Sequence, residues 1–206
     1  MITRYFTFVN ADLKRVSDAM VEIIEDPDCS VKRYVSRLFV DLSYVRYTTP
    51  VKKMVLWSPC DNHTAVYGNQ SDGFATLCNI LHLRYGFDIT QICLTLDLDN
   101  KINDSDIYLF RLFDFLRSNG TERMVRVMQD PHWDFYEIGE PFPFEQTEKY
   151  KERIKKKRLT NDMILDYAEA MGYDVRNPDF WKSDNATYLE WSKIPVAKQN
   201  WQSILF

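Results

Sequence analysis

Apolar residues recur along this chain at two spacings, every second position or every third and fourth, and the switches between them predict strands alternating with helices. The run RYFTFV at 4–9 is aromatic and β-branched, which predicts a strand. Behind it Leu13, Val16, Met20, Ile23 and Ile24 fall at helical spacing, with an expected N-cap at Asn10 and Asp12 in the first turn, where its charge complements the helix dipole. Glu25-Asp26-Pro27-Asp28 closes that helix. Residues 31–45 fit both templates, carrying strand-forming side chains and a helical set at Val31, Tyr34, Val35, Leu38 and Leu42, and are read as a strand. Further strands are expected at 51–57, ended by Ser58-Pro59, and at 64–67 after the polar loop CDNH. A helix then carries Phe74, Leu77, Cys78, Leu81 and Tyr85, capped by Ser71 or Asp72 and stopped by Gly86. The apolar run 89–96 predicts a central strand.

The stretch 107–138 reads as an antiparallel meander of three strands. Asn119-Gly120 supplies its first turn through the positive φ angles of a tight hairpin, and Asp130-Pro131 supplies the second. Residues 139–143 break the sheet, and a helix with a cationic outer face is expected from about Thr147 through Tyr150 and Ile154. The next helix has the best start signal in the chain, with Thr160 as N-cap, Leu159 and Ile164 as a hydrophobic staple, and Gly172 at its end. The remainder, containing Trp181, Trp191 and Trp201, shows no usable period and is expected to wrap the protein as irregular structure. The whole predicts an α+β fold, a mixed but mainly antiparallel sheet flanked by helices, with a sheet region at 1–145 and a helical C-terminal region at 146–206 packed on it as one unit.

Composition narrows the function classes. With 206 residues and 45% hydrophobic content the chain can bury a sizeable core without stapling. A net charge of −4 favours a basic partner over a phosphate backbone. Cys29, Cys60, Cys78 and Cys93 form neither a C-x-x-C pair nor a zinc-finger spacing and are expected as reduced thiols. The stretch MITRYFTFVNADLKR lacks the pattern of a signal peptide, and no apolar run reaches the roughly 18 residues of a membrane span, so a cytoplasmic protein away from the membrane is expected. On that reading the five N-x-[ST] triplets are chance.

Few residues carry a chemical pattern. Asp97, Asp99, Asp104 and Asp106 follow a strand, and Asp97 with Asp99 could hold a divalent cation for a hydrolase or transferase. An EF-hand starting at Asp97 would need Gly where Ile102 stands and an acid where Tyr108 stands, and no Gly-rich phosphate loop accompanies the pair, so a solvated turn is the simpler reading. Cys60 and His63 lie close enough for a nucleophile and base, although such pairs usually meet through the fold. His63, His82 and His132 lie far apart in sequence on different elements, and His82, on a helix beside the apolar stripe, is read as a packing residue. No protease, hydrolase or nucleotide motif occurs and no cofactor is expected. The cations Lys149, Lys151, Arg153, Lys155, Lys156, Lys157 and Arg158 could read phosphates, but Glu145, Glu148 and Glu152 stand before them in the orientation of helical ion pairs, so nucleic acid is the weaker reading. Trp133, Phe135, Tyr136, Phe142 and Phe144 cannot all face one side of a sheet, so either helices cover both faces or an aromatic patch stays outside.

W-x-F at Trp133 and Phe135, G-E-P-x-P-F-E from Gly139 to Glu145, Y-x-x-R at Tyr150 and Arg153, R-L-T at Arg158 to Thr160 and the pair Phe180-Trp181 together resemble a loose group of bacterial polymorphic-toxin immunity-type proteins. Trp57-x-Pro59 followed by Asn69 and Asp72-Gly73-Phe74 is a fainter echo of the same group. The resemblance implies a cytosolic protein that binds and neutralises a toxin, and an acidic surface would suit a cationic one. The turn and its neighbours, Trp133, Glu140, Phe142, Phe144 and Glu145, are the candidate partner-binding residues.

Overall fold

The aromatic run near the N-terminus becomes the middle of a nine-stranded sheet. In the computed structural model, which describes residues 3–25, 29–36, 51–70, 72–95 and 110–193, β1 (Thr3–Val9) pairs antiparallel with β4 (His63–Gly68) on one side and β5 (Ile89–Thr95) on the other. Outward from β4 lie β3 (Lys52–Cys60), β9 (Ala186–Lys193) and β2 (Cys29–Ser36). Outward from β5 lie β6 (Phe110–Leu116), β7 (Glu122–Gln129) and β8 (Trp133–Ile138), the last an edge strand. Every junction between these strands is antiparallel, so the expected α+β architecture is what the chain adopts.

Each face of the sheet has its own core. On the first, Phe8, Trp57, Ile92, Phe113 and Val125 are roofed by α3 (Asn161–Ala170) and by 3₁₀ turns at Lys149–Lys151, Lys155–Lys157 and Pro178–Trp181. On the second, α1 (Leu13–Ile24) and α2 (Ala75–Tyr85) cover Val9, Leu56, Val66, Ile89 and Leu189. That second core includes no residue of β6, β7 or β8. The α3 cap forms as its sequence predicts, with the Thr160 hydroxyl accepting from the Met163 N–H and Leu159 and Ile164 fully buried. Asn161 ties α3 to the sheet, its side chain donating to the Thr95 carbonyl and accepting from the Thr95 N–H.

Several expectations need correction. The described part of the C-terminal stretch, up to Lys193, contains a strand: β9 inserts between β2 and β3, sending Ala186 and Tyr188 into the first core and Leu189 and Trp191 into the second. A strand buried on both faces has no polar side to alternate with, which hides its period. The basic segment is not an α-helix but two separate 3₁₀ turns, interrupted where Glu152 and Ile154 are extended. Arginine side chains occupy carbonyls there, Arg158 donating to Glu152 and Arg111 to Lys156. Asp12, not Asn10, caps α1, accepting from the Arg15 N–H. Helix α2 starts two residues later than a cap at Asp72 would place it, behind Phe74 in the left-handed region, with the Asp72 carboxylate accepting from the Phe74 N–H. The β6–β7 turn is a three-residue loop over 118–120 in which Gly120 alone takes a positive φ, since Arg117 and Thr121 already bond across it. Residues 37–45 of the second expected strand, residues 107–109 of the meander, Ser71 and Trp201 lie outside the described residues.

Because Leu189 is fully buried in β9, Leu189→Ala is expected to destabilise the protein by about 2–5 kcal/mol in urea unfolding. A loss of about 0.5 kcal/mol or less would mean the strand is peripheral.

Candidate functional site

The turn that looks most distinctive in sequence is held from beneath by one arginine. Arg123 of β7 is fully buried and faces the first core. Its Nε donates to both Glu145 oxygens at 2.9 and 3.2 Å, Nη2 to Glu145 at 2.6 Å and to Glu137 at 2.8 Å, and Nη1 to the carbonyls of Ile138 and Gly139 at 3.1 and 3.0 Å. All five N–H groups of the guanidinium are thereby used. Glu145 is equally committed, accepting in addition from the Phe142 N–H at 2.9 Å and the Tyr150 hydroxyl at 2.8 Å. The Tyr167 hydroxyl, 3.0 Å from that of Tyr150, accepts from the Gln146 N–H, which extends the network into α3. Burial alone would lower the Arg123 pKa, but the bonds to Glu145 and Glu137 raise it, so the cation is permanent. Burial and its hydrogen bonds likewise raise Tyr150, which stays a neutral donor. Gly139 completes the arrangement at φ 80°, because a Cβ there would lie 1.9 Å from the Glu122 carbonyl oxygen.

The proposed contact residues divide accordingly. Glu145 is sealed inside, and only Glu140 of the five is exposed. Trp133, Phe142 and Phe144 are half-buried against the first core, with Phe142 stacked on Phe144 at 5.1 Å and edge-on to Phe115 at 5.3 Å. Phe135 packs inward too, between Tyr150 and the Arg158 guanidinium.

Tyr136 goes the other way. Strand parity puts Met124, Arg126 and Met128 of β7 and Asp134, Tyr136 and Ile138 of β8 on the second face. Tyr136 is 42% exposed and Ile138 40%, two of the four most exposed large hydrophobics among the described residues, while Met124 and Met128 are half-buried. Arg126 lies over the Tyr136 ring at 4.9 Å. Glu122 and Asp134 are exposed carboxylates on this face, Asp134 partly offset by Lys155 at 3.1 Å, and Asp130 and Glu140 are exposed just beyond the ends of β7 and β8. Alternation within WDFYEI was the sequence signal for Tyr136 and Ile138; what could not be read was which face would remain uncovered.

One strand further in, Asp114 of β6 shares that face, as its register with Met124 shows. It is only 7% exposed, and its Oδ1 has no hydrogen-bond partner among the described residues. Burial, reinforced by the charge of Glu122, pushes its carboxyl up to about 6 despite a bond from the Phe115 N–H. Its neighbours are polar but occupied: Gln91 donates to the Thr7 hydroxyl at 3.0 Å, and that hydroxyl lies 3.6 Å from the Cys78 thiol.

The remaining candidates carry less chemistry. Cys60 and His63 do meet, as register partners across the β3–β4 turn. Burial and Asp61 hold the Cys60 thiol above its ordinary range, the opposite of an activated nucleophile, while His63 bonds to the Asp61 carbonyl and rests against Tyr173. The His82 ring bonds to the Phe87 carbonyl, and His132 is exposed in the β7–β8 turn. Asp97, Asp99, Asp104 and Asp106 lie outside the described residues. Among the described residues no group of three or more His, Cys, Asp or Glu could hold a metal ion. A cleft of about 440 Å³ beside α3 mixes Lys149 and Lys157 with Glu152, Asp162 and Asp166, so it selects neither sign of charge.

Glu145→Gln should cost about 3–5 kcal/mol in denaturant unfolding, because the permanent Arg123 cation then lacks its buried counter-charge. Tyr150→Phe, which removes one bond to the Glu145 carboxylate, should cost less, about 1.5–3 kcal/mol; equal costs for the two would contradict the dominance of the ion pair. For Asp114 the folded-state pKa lies above the unfolded one, so its stabilising contribution is complete below about pH 4 and is lost as pH rises through about 6. Asp114→Asn should therefore stabilise the protein by up to about 3 kcal/mol at pH 8, with the gain shrinking toward pH 4. A difference from wild type that does not vary with pH would refute this assignment.

Compared with known proteins, the chain matches no family model, no curated protein and no solved structure.

Proposed function

We propose that this chain is a non-catalytic protein-binding module of immunity type, working in the cytoplasm, that neutralises a cationic toxin held on the second face of β7 and β8. The observation that carries the reading is the exposure of Tyr136 and Ile138 side by side on an edge strand, with exposed carboxylates at Glu122 and Asp134 on the same face and at Asp130 and Glu140 just beyond the strand ends. An apolar centre with a charged rim is the anatomy of a protein interface, and aromatic anchors carry much of the affinity in such sites. The carboxylate rim favours a basic partner and would speed its encounter. The immunity role itself rests on the resemblance centred on Gly139 to Glu145, a turn whose half-buried aromatics and exposed Glu140 lie beside the same edge strand.

The direct assay mixes the purified protein with the toxin encoded in the neighbouring reading frame and follows the toxin's activity. Protection is expected, with Tyr136→Lys and Ile138→Lys each weakening it at least about tenfold through loss of an interface anchor. No complex and no protection would sink the proposal, and protection indifferent to both substitutions would move the interface elsewhere.

A further inference from the structure

We propose that Asp114 is the anchor for an arginine side chain presented by the protein partner, seated on the second face of β6 and β7 beside Met124 and Glu122. This rests on the reading that the same face takes a basic protein, and it names the group that face is built to receive. Buried carboxyl oxygens are ordinarily paired, yet Asp114 Oδ1 has no hydrogen-bond partner among the described residues. Two polar neighbours among the described residues are engaged elsewhere: Gln91, its register partner on β5, donates to Thr7, and Arg126 on the same face lies over the Tyr136 ring. Glu122, two positions before Met124 on β7 and so on the same face, adds a second negative charge close enough to act on Asp114. Cys78 of α2 also senses the Asp114 charge, and burial holds that thiol up at about 12, so it supplies no counter-charge.

Two carboxyls with no cation between them, one of them desolvated, form a half-site for a positive group. Guanidinium suits it better than ammonium, because its planar fork can bond two carboxylates at once and it gives up water more readily. Met124, directly across from Asp114, is half-buried, and on this proposal its unbranched thioether changes rotamer to admit the arginine. Tyr136 and Ile138 on the next strand then supply the apolar surround that excludes water from the pair.

The test follows the Asp114 side-chain carboxyl and the Met124 methyl by NMR in the full-length protein while Nα-acetyl-arginine methylamide or its lysine counterpart is added. The arginine probe is expected to lower the Asp114 titration midpoint and shift the Met124 methyl saturably, with the lysine probe weaker. Asp114→Asn should reduce arginine binding by roughly tenfold or more, as loss of a charge-assisted bond does. Glu122→Gln, at an exposed position, should weaken it less and serves as the variant whose folding is not in question. An unmoved midpoint, or a Met124 response that survives Asp114→Asn, overturns the anchor. The neutralisation assay reads the other claim separately: toxin protection that depends on Tyr136 without any arginine response leaves the function standing and removes the anchor, while an arginine response without toxin protection does the reverse.

Discussion

The salt bridge between Arg123 and Glu145 adds a buried charge pair to the aromatic contacts that join the sheet to the segment leaving it. Arg123 belongs to the sheet and Glu145 to the segment that leaves it, and both side chains are almost wholly withdrawn from water. Such a pair is stabilising only when every remaining donor and acceptor is met, because desolvating two charges costs several kcal/mol per ion. Here the Ile138 and Gly139 carbonyls, Glu137, the Phe142 N–H and Tyr150 meet them, and each of those groups is thereby fixed in place. The path of the chain from β8 across the first face follows from that list.

The consequence is a molecule with unequal faces at one end. On the first face the chain after β8 folds back over Phe113, Val125 and Phe135 and closes them. On the second face α1 and α2 cover the other half of the sheet, and Tyr136 and Ile138 stay in contact with solvent. Pinning the edge strand from one side makes its other side a pre-formed surface, which lowers the ordering cost a partner would otherwise meet. Asp114 is held in the same frame, where burial and the charge of Glu122 push its carboxyl up to about 6, and the proposed arginine would supply the opposite charge.

Local grammar in the sequence was enough for much of the fold. The Thr160 cap, the Gly86 stop and the meander from β6 to β8 follow from side chains within a few positions of one another, and they form as read. What long-range contacts decide was not legible. β9 lacked a period because both its faces are buried, and the basic segment looked helical because nothing local announced that Arg111 and Arg158 would take its carbonyls. At the candidate site the turn was recognisable as a feature, but Glu145 looked like a surface acid pairing with lysines along a helix, since its true partner lies 22 residues earlier in the chain. The exposure of Tyr136 could not be read from WDFYEI, because alternation defines two faces without saying which one the helices will leave open.

The proposed interface depends on the buried pair holding the edge strand in place. Amide hydrogen exchange on the wild type and on Glu145→Gln, under conditions where both remain folded, reads this strand by strand. Loss of the pair should release β8 and the segment after it as a local unit, with exchange there rising many-fold while β1 and β5 keep their protection. Unchanged protection in β8, or an equal loss across the whole sheet, would show that the pair does not anchor the edge on which the proposed interface is built.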